Sequence, residues 1–273
     1  MKMSAASLFV LTVFCFVASA APAKTYVAIW TREDEAAGGA EYILPLAEVD
    51  QGEWKAAIAP VKPQVWTVSF DGKKIGTCKS KASGLIGNDF KNAHRPVDKM
   101  PHPGKSNRPL VLISKPNFKD PDEWKPATLL PQERNQLIAQ FRRKFPKADN
   151  CEKFEKDEKH HAESYVDDDL KFDKVYASNK KSYVVRVHLE KWGCDAIFDE
   201  PFEYQTFAIN LNGEVKYLSK RLELIDAGDY DGSGNSKLVF RDDSDGGDDD
   251  NSRGYSIWSE NFVLLAKRFR TLH

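Results

Sequence analysis

The sequence predicts a mainly β protein with one defined helix. Its antiparallel strands are expected in an irregular propeller-like arrangement, with a β-sandwich or an α+β layout as the alternatives. Three observations carry this. Short runs rich in β-branched and aromatic residues recur over most of the 273 residues. The turn signals Asp71-Gly72 and Asn212-Gly213 each stand between two such runs. One stretch, Leu130 to Phe145, instead spaces its apolar residues by three and four.

The N-terminus comes first. Lys2 is followed by an uncharged apolar run from Ala5 to Ala18, and Ala18-Ser19-Ala20 supplies a small-residue cleavage site. This is the layout of a secretory signal peptide. The run is shorter than the roughly 20 apolar residues that a membrane-spanning helix needs. The chain is therefore expected to be exported, secreted or periplasmic, with no transmembrane anchor after cleavage. The expected organisation is a signal peptide over 1–20, an N-terminal β region over 21–115, a linker and helix over 116–150, and a C-terminal β region with an acidic loop over 151–273.

Within the N-terminal region, "VWTVSFDGKKIGTC" reads as a tight hairpin about Asp71-Gly72. Simple pairing about that turn places Val68 opposite Ile75 and Trp66 opposite Thr77. Trp66, Val68 and Phe70 then share one face, because side chains alternate along a strand. Lys91 to Pro109 is basic and proline-rich and is expected as an exposed loop, with His94 and His102 solvated. Proline and charge between about 116 and 130 mark a seam.

The helix follows. Leu130, Leu137, Ile138, Phe141 and Phe145 form one stripe. Pro131 suits the first helical position, and Pro146 ends the run. Arg142 to Lys144 complement the negative end of the helix dipole. Further on, "KVYASNKKSYVVRVHL" reads as a hairpin around Ser178 to Lys181. "FAINLNGEVKYL" repeats the two-residue device, with Phe207, Ile209 and Leu211 alternating before the turn. "LELI", "KLVF", "GYSIWS" and "FVLLAKRF" complete the strands.

Lys and Arg number 40 against 41 Asp and Glu. So balanced a charge provides no overall attraction to nucleic acid, and none is expected as a partner. Cys15 leaves with the signal, and Cys78, Cys151 and Cys194 remain. An oxidising compartment permits one disulfide among three pairings. Cys151 and Cys194 both lie in connections, which favours their pairing, whereas Cys78 sits in a strand pattern as a small buried hydrophobe.

No nucleophile elbow, phosphate loop or dinucleotide fingerprint is present, so no catalytic residue is assigned. His160, His161 and Glu163 lack the helical zinc spacing and read as an exposed polar segment. The candidate site is "DAGDYDGSGNSKLVF". From Asp229, oxygen-bearing side chains fall at positions one, three and five as Asp229, Asp231 and Ser233. Gly234 permits a sharp turn, and Asn235 offers a carbonyl. Alternating short oxygen ligands in a tight turn suit a hard cation such as calcium. Lys237 stands where a further acidic ligand is expected, and Phe240 replaces the last one. Asp226, or the run Asp242, Asp243, Asp245 and Asp248 to Asp250, is the candidate source of the missing oxygens. The competing reading is a glycine-rich hairpin with a solvated acidic tip.

This stretch resembles the acidic loops of FG-GAP and VCBS-type repeats, in a single degenerate copy. In those repeats an acidic loop precedes a strand, often in β-propellers, and the resemblance implies a weak calcium site. The last 50 or so residues also resemble the end of a group of secreted bacterial proteins, which implies no activity. The expectation is a secreted soluble binding or structural protein with a weak calcium-binding loop. The alternative is a secreted hydrolase whose site is assembled from distant residues.

Overall fold

The computed structural model describes residues 24–32, 41–57, 62, 64–82, 93–104, 108–149, 162–190, 204–242 and 253–270. The expected signal peptide over 1–20, Cys151, Cys194, His160, His161 and the acidic run after Asp242 lie outside them. The described residues are mainly β with one α-helix, and their sheets are antiparallel, as the sequence predicts. Among the described residues the strands form one closed barrel, two larger open sheets and one short two-stranded pairing.

The barrel is built from β1 (Thr25–Arg32), β2 (Glu41–Asp50), β4 (Val65–Phe70), β5 (Lys73–Ala82), β6 (His94–Pro96) and β7 (Leu110–Ile113). Its order is β1-β7-β4-β5-β6-β2, and β2 pairs back with β1 to close it. The short strand β3 (Glu53–Ala56) extends the sheet from β2. Alternation divides its residues between two cores. Ala28, Trp30, Trp66, Val68, Cys78, Leu110 and Leu112 fill the inside. Val27, Ile29, Val111 and Ile113 point outward and are also buried.

The outward set packs against the C-terminal sheet, ordered β15 (Leu222–Gly228), β16 (Lys237–Asp242), β17 (Arg253–Trp258) and β18 (Leu264–Arg270). The other face of that sheet, with Leu224, Leu238 and Phe240, packs on Val184 and Ala208 of the second open sheet. This second sheet joins β8 (Lys125–Pro126), β11 (Leu170–Ala177), β12 (Tyr183–Leu189), β13 (Gln205–Ile209) and β14 (Val215–Lys220). On its far side lies α1 (Pro131–Lys144), which buries Leu137, Ile138 and Phe141 against Val185, Val187 and Phe207. The C-terminal sheet is thus a central layer covered on both faces. That is why β15 and β16 are buried along almost their whole length, charged residues included. β9 (Ala148–Asp149) and β10 (Ala162–Glu163) make the short pairing.

Several local expectations change. Asp71 and Gly72 both take left-handed φ, which the tight hairpin turn requires. Beyond the turn a bulge shifts the register between Val68 and Ser69. Val68 therefore faces Gly76, and Trp66 faces Cys78, one residue further than simple pairing predicts. At Asn212-Gly213 only Gly213 is left-handed, and Asn210 N–H bonds to the Glu214 carbonyl. The loop is hence one residue longer than the two-residue device. Leu211 sits in it, exposed, and Leu130 is exposed ahead of the helix. The 91–109 stretch is not simply a loop. His94 begins β6 and is buried, and Met100 is buried against the barrel interior. The hairpin around Ser178 to Lys181 forms as predicted.

Candidate functional site

The 229–235 loop connects β15 to β16, at the seam between the C-terminal sheet and the barrel. Its geometry follows from its short polar side chains. The Asp229 carboxylate turns inward and accepts the backbone N–H groups of Gly232 at 2.7 Å and Gly234 at 3.1 Å. Gly234 has φ of 83°, the left-handed turn its position demands. Asp231 accepts the Ser233 N–H at 3.0 Å. Such local side-chain to backbone bonds are what make Asp and Ser good turn residues.

The centre of the loop is occupied from within the chain. Lys237, the first residue of β16, bends its ammonium back over the turn. Its Nζ lies 2.9 Å from Ser233 Oγ and 3.2 Å from the Asn235 carbonyl oxygen. It also lies 3.3 Å from Asp231 Oδ2 and 3.8 Å from Glu260 Oε2. The Asp231 and Lys237 side chains are each only 7% exposed. Burial alone would raise the Asp231 carboxyl. Bonds from the Ser233 hydroxyl and N–H, with the Lys237 charge, outweigh it and pull the group down to about 2.

The loop also reaches the barrel. Trp54 of β3 donates its indole N–H to Asp231 Oδ2 at 3.2 Å. Lys115, just past β7, donates to the Asp231 carbonyl at 2.6 Å. Tyr230 is fully buried and stacks on Phe118 with ring centroids 5.3 Å apart. At the foot of β16, the Ser236 hydroxyl donates to Asp120, and its N–H donates to Asp122 at 3.3 Å.

Asp226 faces elsewhere. It is 4% exposed, and its oxygens accept Ser69 Oγ at 2.6 Å, Gly72 N–H at 2.7 Å and Tyr230 Oη at 3.1 Å. Burial dominates and pushes its carboxyl up to about 6 despite those donors. The structure therefore brings Asp231, Ser233 and Asn235 together around Lys237. Asp229 is spent on the turn and Asp226 on the β4–β5 hairpin. Trp54, Lys115, Glu260 and Ser69 carry no local signal in the sequence, because each reaches the site from a distant strand or connection.

The donor set is arranged for an ammonium. N···O separations near 3 Å are those of charge-assisted hydrogen bonds, whereas calcium wants six to eight oxygens at about 2.3–2.6 Å. A calcium ion at this centre would stand against Lys237 unless the side chain left. Among the described residues, no group of three or more His, Cys, Asp or Glu side chains is placed to hold a metal ion.

Two other polar clusters bear on catalysis and assembly. Ser80 Oγ lies 3.0 Å from His94 Nδ1 and accepts the Trp66 indole N–H at 2.9 Å. Ser80 and His94 are both buried, so this pair ties β4, β5 and β6 together and presents no nucleophile to a cleft. Glu223 receives Lys174, Arg186 and Arg241. Burial opposes its ionisation, but these cations outweigh it and hold the carboxyl below its usual range. The cluster links the two open sheets. Cys78 is a free, buried thiol in the barrel, and the Cys151–Cys194 pairing lies outside the described residues. Among the described residues no helix is long and apolar enough to cross a membrane. No family model, curated protein or solved structure matches the chain, so the site is read from its own geometry.

Proposed function

We propose that the protein is an exported binding or structural protein in which the 229–235 loop is an internal clasp. The observation supporting this is the direction of the loop's polar groups. Asp231 is directed at Trp54 and Lys237, and its carbonyl at Lys115, rather than at solvent. An acidic loop used this way fastens the barrel to the C-terminal sheet. Calcium has at most a weak part in this reading, since it enters only in competition with a buried ammonium. The order of charge, apolar run and small residues over 1–20 supports export to a secreted or periplasmic location, where a Cys151–Cys194 bridge is chemically permitted.

The test separates this reading from a secreted hydrolase. The mature protein is assayed against ester, peptide, glycoside and phosphoester substrates beside a heat-unfolded control. No turnover above that of the control is expected. Turnover by the folded protein alone would move it to the hydrolases. Mass spectrometry of the native protein should find the mature chain beginning near Ala21.

A further inference from the structure

We infer that the Lys237 ammonium is the resident cation of the acidic loop, standing where the sequence pattern places calcium. This deepens the clasp reading and rests on it. The pattern assigned ligand oxygens to Asp229, Asp231, Ser233 and Asn235, with Asp226 as a supplement. Three of these, the Asp231 carboxylate, the Ser233 hydroxyl and the Asn235 carbonyl, lie within 3.3 Å of one atom, Lys237 Nζ. Glu260 adds a fourth oxygen at 3.8 Å, from the turn between β17 and β18.

Lys237 occupies the ninth position counted from Asp229, where a calcium loop would carry another oxygen ligand. The substitution does more than delete a ligand. A lysine there is long enough to fold back and bring its own charge to the centre. An ammonium buried this deeply requires hydrogen-bonded, charge-bearing partners, and the loop provides them. The charges also suit a monovalent ion. Asp229 spends both oxygens on backbone N–H groups, which leaves Asp231 and the more distant Glu260 as the carboxylates around Nζ. The loop thereby keeps a metal-loop conformation in the absence of metal, and its clasp does not depend on calcium supply outside the cell.

The test uses the mature chain with calcium chloride or a chelator as the probe. It compares wild type, Lys237→Met, which keeps the apolar stem, and Lys237→Asp, which restores the acidic ligand. The wild-type melting temperature is expected to be the same in chelator and in calcium up to about 10 mM, above the range of weak extracellular sites. Lys237→Met should melt several degrees lower in either condition. Lys237→Asp should melt low in chelator and recover with calcium. A wild type stabilised by calcium as strongly as Lys237→Asp would overturn the inference, as would a Lys237→Met variant as stable as wild type. Should Lys237→Asp fail to fold, NMR of the wild-type lysine ammonium groups decides. One slowly exchanging Nζ signal, lost in Lys237→Met, is expected, and its absence overturns the inference. Trp54 emission reads the clasp separately. Calcium binding by a wild type with Trp54 still docked rejects the resident ammonium and leaves the clasp intact. A solvated Trp54 in the wild type rejects the clasp itself.

Discussion

The Ser69 hydroxyl donates to the Asp226 carboxylate at 2.6 Å, across 157 positions of chain. The bond joins the β4–β5 hairpin of the barrel to the first strand of the C-terminal sheet. It exists because β15 carries a bulge. Leu224 pairs with Phe240 and Asp226 with Val239, so Ile225 is the extra residue. Strict alternation would place Asp226 on the face of Leu224, against the second open sheet. The bulge re-aims it towards the barrel.

Asp226→Ala leaves the Gly72 N–H, the Ser69 hydroxyl and the Tyr230 hydroxyl without their shared acceptor. Three hydrogen bonds at about 1 kcal/mol each give a loss on the order of 3 kcal/mol. Denaturant unfolding of the variant measures it. A loss under a third of that would mean the bond does not fasten the barrel to the sheet.

The two aspartates bend the pH dependence of stability in opposite directions. The Asp226 carboxyl is raised from 3.8 to about 6, so the folded protein holds its proton more tightly than the unfolded chain does. Its contribution is full below about pH 4 and is lost as pH climbs to about 6. Asp231 is lowered from 3.8 to about 2. Its contribution is present above about pH 4 and is lost as pH falls towards 2. Unfolding curves from pH 2 to 7 should therefore rise and then decline. Asp226→Asn should flatten the upper limb alone and Asp231→Asn the lower limb alone. The opposite assignment, or no change in either limb, would refute it.

Trp54→Phe removes the indole bond to Asp231 while keeping an aromatic ring on β3. The expected loss is about 1 kcal/mol, a fall in melting temperature of roughly 2–4 °C for a chain of this size. Combined with Asp231→Asn it should lose less than the sum of the two, because the residues share one contact. Strict additivity would separate them.

Gly228 ends β15 under the Phe118 ring. A Cβ there would lie 2.1 Å from Phe118 Cζ. Phe118 stacks on buried Tyr230, so the ring has a neighbour to displace. Gly228→Ala should lose roughly 1–3 kcal/mol, the usual effect of overpacking. The double variant Gly228→Ala, Phe118→Leu should recover part of it, and no recovery would place the strain elsewhere.

Burial raises the Cys78 thiol, with the Asp98 charge adding to it. Thiol reagents should modify Cys78 only on unfolding. Non-reducing peptide mapping of the native protein should recover Cys151 joined to Cys194, and a dominant bridge to Cys78 would contradict both expectations.

The β character, the helix stripe and the hairpins at Asp71-Gly72 and Ser178 to Lys181 were legible because they are local. Turn chemistry and side-chain alternation depend on a few neighbouring residues. Registers were less so. The bulge beyond Val68 answers to packing in the barrel, and His94 is buried because β6 completes the barrel wall between β5 and β2.

The same division runs through the candidate site. By itself the sequence determined a turn of short oxygen-bearing side chains around Gly234, ahead of a strand, and the presence of a lysine at 237. Only the tertiary structure decided what those oxygens surround. The path of the Lys237 ammonium depends on Glu260 from the next hairpin, and that of Asp231 on Trp54 from the barrel. Buried charge settles where partners converge. Convergence here requires the barrel, the β15–β16 loop and the β17–β18 turn to be packed together, which no window of sequence contains.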